Sequence, residues 1–214
     1  MKTSLVISGG DFSPGIFLES RTLKYDYCIA ADKGYLYANR LGITPDVIIG
    51  DFDSYEEELP ADVPVIRHKV EKDDTDTMLA IKYALENGYN HIVIVCALGG
   101  RLDHTLANIQ SMLYAAQHGG VCEIYSDTEY LTTLNADTIT IPKKDNHSLS
   151  VLALSDICEG VSISGAKYNV SDATLTNGFP LGFGNSWESD EVTVSVQKGI
   201  LLIVQSSVSN EQHK

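Results

Sequence analysis

Acidic side chains recur in this sequence where a folded chain would change direction. Asp11 follows Ser8–Gly9–Gly10, Asp32 and Lys33 lie between Ala31 and Gly34, and Asp51 and Asp53 flank Phe52 between Gly50 and Ser54. Asp73, Asp74 and Asp76 surround Thr75, and Gly99–Gly100–Arg101–Leu102–Asp103–His104 puts a fixed cation beside another acid. Each cluster alone has a plain structural use. Asp and Thr ahead of a helix are ordinary caps, and an acid in a first turn complements the helix dipole. Five such clusters on one edge of a sheet are a poor fit to independent capping.

Electrostatics then selects the chemistry. Two like unit charges ~4 Å apart repel by about 4 kcal/mol at an effective dielectric of about 20, so gathered carboxylates call for protons or a cation. Oxygen-only donors suit a hard ion, Mg²⁺ ahead of Ca²⁺, and the loops lack the EF-hand spacing. Mg²⁺ keeps several waters and shares its other positions with phosphates, while glycine turns and helix N-termini offer N–H groups to the same phosphates. Arg101 adds a cation. The economical ligand is a nucleoside triphosphate with Mg²⁺.

The elements that would carry these clusters alternate. Short apolar runs at Leu5–Ser8, Tyr27–Ala31, Val47–Gly50, Val63–Arg67, Ile92–Ala97 and Cys122–Tyr125 read as buried strands. Thr75–Asn87, with Leu79, Tyr83 and Ala84 on one side and Gly88 after its end, reads as an amphipathic helix. Leu102–His118 reads likewise, with Leu102, Leu106, Ile109, Leu113 and Ala116 as its stripe. Strands alternating with helices predict an open, mostly parallel α/β sheet. Its ligands gather outside the carboxyl ends of the strands, where four of the clusters fall. From about Asp137 the period becomes two, at Thr138–Ile141, Val161–Ser164 and Val192–Val196, and Lys198–Gly199 reads as a hairpin turn into Ile200–Val204. The expected fold class is therefore α/β followed by all-β: an α/β catalytic domain over 1–134 and a smaller antiparallel β-sandwich over 135–214.

Composition narrows the partners. The chain of 214 residues has 15 basic against 29 acidic side chains, a formal charge of −14, and no Lys/Arg run. Nucleic acid and acidic membrane surfaces are therefore not expected partners. No stretch approaches a membrane span, and the N-terminal apolar run is too short for a secretory signal. Cys28, Cys96, Cys122 and Cys158 form no C-x-x-C pair, which suggests reduced thiols in the cytoplasm. The scattered histidines give no zinc spacing, and Gly9–Gly10 does not extend to the dinucleotide-binding glycine pattern.

Taken in order, Gly50-Asp-Phe-Asp-Ser54, Asp73-Asp-Thr-Asp76, Gly99-Gly-Arg-Leu-Asp-His104 with Leu106–Asn108, and Gly184-Asn-Ser-Trp187 resemble the thiamine pyrophosphokinase family. The resemblance covers nearly the whole chain. It implies Mg²⁺-dependent transfer of pyrophosphate from ATP to the hydroxyl of thiamine, giving thiamine diphosphate and AMP. It also implies a homodimer, with thiamine between the α/β domain of one subunit and the β domain of the other. By the same resemblance Asp51, Asp53 and Asp76 are the metal carboxylates, and Asp103 and Arg101 join them in catalysis. Asp32, Gly34, Asp73, Gly99 and Gly100 are expected at ATP. Tyr168 is expected to stack on thiamine, with Asn185 and Ser186 as further contacts, although here that pair runs Asn-Ser where the family has Ser-Asn. Lys33 stands where the family more often has Gly, and two readings are open for it, a reach to phosphate or an outward-pointing side chain. Asp76 and Asp103 are both candidates to accept the alcohol's proton. Two rival functions use the same acidic motifs: pyrophosphoryl transfer to another ring-bearing alcohol, such as a hydroxymethyl pterin, and nucleotide or Mg²⁺ sensing without turnover. Trp187 reads as a core or interface residue.

Overall fold

The computed structural model describes residues 1–12, 15, 22–51, 60–67 and 74–208. They divide into two compact units, Met1–Asp127 and Thr128–Lys214. The boundary falls ahead of the expected division at 134/135, because the strand Glu129–Asn135 pairs within the second unit.

In the first unit, strands β1 (Thr3–Ile7), β2 (Tyr27–Ala31), β3 (Val47–Gly50), β4 (Val65–Arg67), β5 (His91–Val95) and β6 (Val121–Tyr125) form a sheet in the order β6-β5-β1-β2-β3-β4. Every pairing is parallel; Val6, for example, lies between Ile29 and Ile94. Apolar runs such as Leu5–Ile7, Ile29–Ala31 and Ile92–Val95 are fully enclosed, as expected of a parallel sheet covered on both faces.

The covering helices follow from spacing. Helix α1 (Gly34–Leu41) buries Gly34, Ala38 and Leu41 and stops at Gly42, whose φ of 69° is the left-handed geometry glycine adopts cheaply. The sequence gives this helix only a weak signal, because its first apolar-face position is a glycine. Helix α2 (Asp76–Glu86) is capped by Thr75, whose hydroxyl accepts from the Met78 amide at 3.2 Å, and buries Thr77, Ala80, Ile81 and Ala84. Helix α3 (Leu102–Gln117) buries Asn108, Ser111, Met112, Ala115 and Ala116. That face differs from the expected stripe. Leu102 and Leu106 are 72% and 53% exposed, and the helix docks instead through Asn108, Ser111, Met112 and Ala115, with Ala116 common to both faces.

The second unit contains β7 (Glu129–Asn135), β8 (Thr138–Pro142), β9 (His147–Ala153), β10 (Ile157–Ser164), β11 (Val170–Thr176), β12 (Gly182–Asn185), β13 (Glu191–Ser195) and β14 (Ile200–Ser207). The strands run β12-β9-β14-β7 in one sheet and β11-β10-β13-β8 in the other, with all pairings antiparallel. Leu149, Val151, Leu201 and Ile203 from the first sheet meet Val161, Ile163, Val192 and Val194 from the second in one core. The expected hairpin across Lys198–Gly199 is not formed. Strand β13 pairs with β8 and β10, whereas β14 pairs with β7 and β9, so the connection crosses between sheets. Lys198 is held by backbone bonds to Glu159 on β10 on its way across. Alternation marks β13 and an apolar run marks β14, but neither pattern says which sheet a strand joins.

Candidate functional site

The sheet of the first unit is wound in both directions from β1: the chain proceeds through β2, β3 and β4 on one side and through β5 and β6 on the other. At such a switch point the loops leaving neighbouring strands part, opening a crevice at the carboxyl ends. The crevice is present here as a cavity of about 350 Å³. Ser8, Gly9 and Gly10 line it after β1, Ala31, Asp32 and Lys33 after β2, and Ala97 and Gly99 after β5. Thr75, Asp76 and Thr77 contribute from the start of α2, and His104 and Asn108 from α3.

Backbone bonds hold the loops together. The amides of Ser8, Gly10 and Asp11 donate to the carbonyls of Val95, Cys96 and Leu98 at 3.0, 2.7 and 3.1 Å, which laces the β1 loop to the β5 loop. Asp11 then accepts from the Gly100 amide at 2.9 Å. A side chain at Gly99, where φ is 83°, would run into the Asp11 carboxylate, so both geometry and space require glycine. Gly34 has a different cause: a methyl group there would collide with the Ile7 carbonyl, so the glycine lets α1 start hard against β1. Ser8 and Thr77 share a buried hydroxyl pair at 2.7 Å, tying the end of β1 to the first turn of α2. Asn108 is 6% exposed and donates to the Ala97 carbonyl at 2.6 Å.

The acids are not alike. Asp76 opens α2 half-buried, and its carboxyl is pushed up to about 6 by burial first, then by the negative charges of Asp32 and Asp51. Asp32 has a positive φ of 45°, and its Oδ1 is buried without a hydrogen-bond partner. Unsatisfied buried acceptors are rare and costly, and this one sits with two further carboxylates that repel when ionised. Among the described residues, no three carboxylate, histidine or cysteine side chains close into a finished metal cage. The donors that do converge are all oxygens, the set a hard divalent cation takes.

Asp103 differs. Arg101 Nε donates to it at 3.0 Å and Nη2 at 2.5 Å, with both side chains exposed. The Arg101 hydrogen bonds hold the Asp103 carboxyl below the usual carboxylate value. Neither residue lines the cavity, so the turn presents Gly99 and His104 to it, while Arg101 and Asp103 occupy each other. The Gly100 amide is likewise engaged by Asp11. Asp53 and Asp73 lie outside the described residues.

The expected contacts of the second unit form a group of their own. Asn185 is 5% exposed; its Oδ1 accepts from the amides of Tyr168 and Ser186 at 3.0 and 2.9 Å, and its Nδ2 donates to the Tyr168 carbonyl at 2.8 Å. That clamp fixes the backbone at Tyr168 and leaves its ring 62% exposed. Trp187 is buried, with its indole N–H on the Ile141 carbonyl at 3.2 Å, a core residue as its sequence context suggested. Ser8, Lys33, His104 and Asn108 line the cavity from within the clusters and motif named in the sequence, whereas Thr77 was missed. The usable signal was a polar residue in helical register with an apolar face, as Thr77 is with Ala80, Ile81 and Ala84.

Comparison with known proteins covers both units. The family model described as thiamin pyrophosphokinase, catalytic domain, matches residues 18–124, and that described as thiamin pyrophosphokinase, vitamin B1 binding domain, matches residues 137–201. A thiamine pyrophosphokinase of Bacillus subtilis (strain 168) is 29% identical over 213 residues, covering 97% of this chain and all of that protein. The crystal structure of thiamine pyrophosphokinase from Bacillus subtilis superposes with a TM-score of 0.85 at 28% identity, over 97% of this chain and 100% of that one. That of Geobacillus thermodenitrificans superposes at 0.80 and 27% identity, over 98% and 99%.

Proposed function

The chain belongs to the thiamin pyrophosphokinase family, and from that premise we propose how it works. It is an ATP-dependent transferase that moves a pyrophosphoryl group to the hydroxyl of thiamine, leaving AMP and thiamine diphosphate. The reading is carried by the cavity at the switch point of the sheet, where Asp32 and Asp76 meet the glycine turns after β1 and β5.

Mg²⁺ would be held by Asp51, Asp53 and Asp76, with Asp32 beside them; the orphaned Asp32 oxygen and the raised Asp76 carboxyl support an oxygen-ligated cation there. When bound, that ion supplies charge compensation for the triphosphate. The remaining work belongs to the protein. The turns at Gly9–Gly10 and Gly99 leave backbone close to the phosphates. The hydroxyl pair of Ser8 and Thr77 fixes the start of α2, and with it the Asp76 carboxyl, against the end of β1. The attacking alcohol approaches the β-phosphorus in line, a reaction in which positioning and electrostatics do most of the catalysis.

Of the two acids expected to accept the alcohol's proton, Asp76 is the better base. It lines the cavity, whereas Asp103 lies outside it with its carboxylate forked onto Arg101.

Thiamine is assigned to the second unit, with Tyr168 as the stacking face and Asn185 and Ser186 behind it. A homodimer is assigned as well. Its support is the exposed apolar set Phe179, Leu181 and Phe183, 65%, 52% and 73% accessible, which a second copy would cover. The cytoplasm is assigned as its compartment, supported by four buried cysteines that form no disulfide. The deciding experiment is a coupled AMP assay with ATP, Mg²⁺ and thiamine, run with and without a chelator. A hydroxymethyl pterin serves as the competing alcohol. AMP release that requires thiamine and stops with chelator is expected; release with the pterin alone would refute the assignment.

A further inference from the structure

Cations of the first unit are unequally committed. Arg101 is forked onto Asp103. Lys82 holds both oxygens of Asp74 at 2.8 and 2.7 Å. Each is neutralised by its own neighbour. Lys33 is exposed and lines the cavity, and among the described residues no carboxylate pairs with it.

The stem of Lys33 is placed by what surrounds it. A methyl group at Gly9 would lie 3.3 Å from Lys33 Cβ, so the side chain starts directly over the turn that follows β1. Its backbone caps α1 with φ −57° and ψ −17°, and its side chain makes no capping bond. The first turn of α1 holds no acid to draw the ammonium away. The acids lining this cavity, Asp32 and Asp76, would repel a polyphosphate, and Arg101, the obvious cation of the sequence, is already paired.

We infer that Lys33 is the side chain with which this chain holds the polyphosphate of its nucleotide, in place of Arg101. The inference rests on the reading of the cavity as the nucleotide site. A lysine ammonium is a compact point charge on a flexible stem, suited to following phosphates that move as the bond between them breaks.

The test uses the full chain and the variants K33M, K33R and R101M, with ATP titrated calorimetrically in the absence of thiamine and KM then measured for both substrates. K33M is expected to weaken ATP binding about tenfold, the factor that corresponds to 1.4 kcal/mol. K33R, which keeps the charge, is expected to stay within about threefold of wild type, and R101M to lose less than K33M. KM for thiamine should not move, and added salt should narrow the gap between wild type and K33M. Lys33 is exposed, so K33M should give the wild-type circular dichroism spectrum. Wild-type affinity in K33M, an equal loss in K33R, or a larger loss in R101M would overturn the inference. A wild-type chain that binds ATP yet releases no AMP with thiamine would sink the proposed function and leave Lys33 standing; one that binds no ATP would sink both.

Discussion

Replacing Asp76 by Asn should make the metal-free protein more stable while stopping its chemistry. The carboxyl of Asp76 is raised from 3.8 to about 6 by burial and by Asp32 and Asp51. At about 1.4 kcal/mol per tenfold change in proton affinity, that shift sets roughly 3 kcal/mol against the ionised form. Asp76 is only half-buried, so solvent screening reduces this to about 1.5 kcal/mol. Loss of a negative charge from the first turn of α2 returns about 0.5 kcal/mol to the wild type. The net gain of about 1 kcal/mol corresponds to a Tm roughly 2–4 °C higher for a chain of this size.

The sign depends on pH in a defined way. A carboxyl raised in the folded state costs nothing below its unfolded value, where both states are protonated, and the cost grows as pH rises from about 4 through about 6. Melting in chelator should therefore give equal Tm values near the acid end of that window and a widening advantage for D76N above it. Adding Mg²⁺ should raise the wild-type Tm and leave the variant's nearly unchanged. A D76N protein no more stable than wild type near neutrality, or a gap indifferent to pH, would refute the electrostatic account of the cavity.

Three further outcomes follow from separate parts of the molecule. Asp51→Asn should lower turnover at least a hundredfold, roughly 3 kcal/mol of transition-state stabilisation, with an unchanged dichroism spectrum; steady-state kinetics would check it. Asn185→Ala removes the clamp on Tyr168 and should raise KM for thiamine about tenfold while leaving KM for ATP alone, a split that substrate titrations would resolve. Gly34→Ala drives a methyl group at the Ile7 carbonyl and should cost about 2 kcal/mol in urea denaturation, whatever its effect on catalysis.

Local pattern carried a good deal of this protein. Apolar runs of strand length gave β1 through β6 to within a residue or two; β1, β2, β3 and β5 are buried on both faces, and such a strand needs no partner to declare itself. Asp32 and Gly99 were legible as cavity residues because they follow strand ends, and Asp76 because it follows a helix cap; both are features of the chain itself. Tertiary structure decided what depends on which surfaces meet. It sent β13 and β14 into different sheets although Lys198 and Gly199 suggest a hairpin between them, and it turned Leu102 and Leu106 outward in favour of a face built on Asn108, Ser111, Met112 and Ala115. Gly34 became a packing glycine by bringing Ile7 beside it. It also paired Arg101 with Asp103 and left Lys33 over the cavity. Charge type is written in the sequence, but the partner that neutralises it is a neighbour in space, and only the folded chain supplies that neighbour.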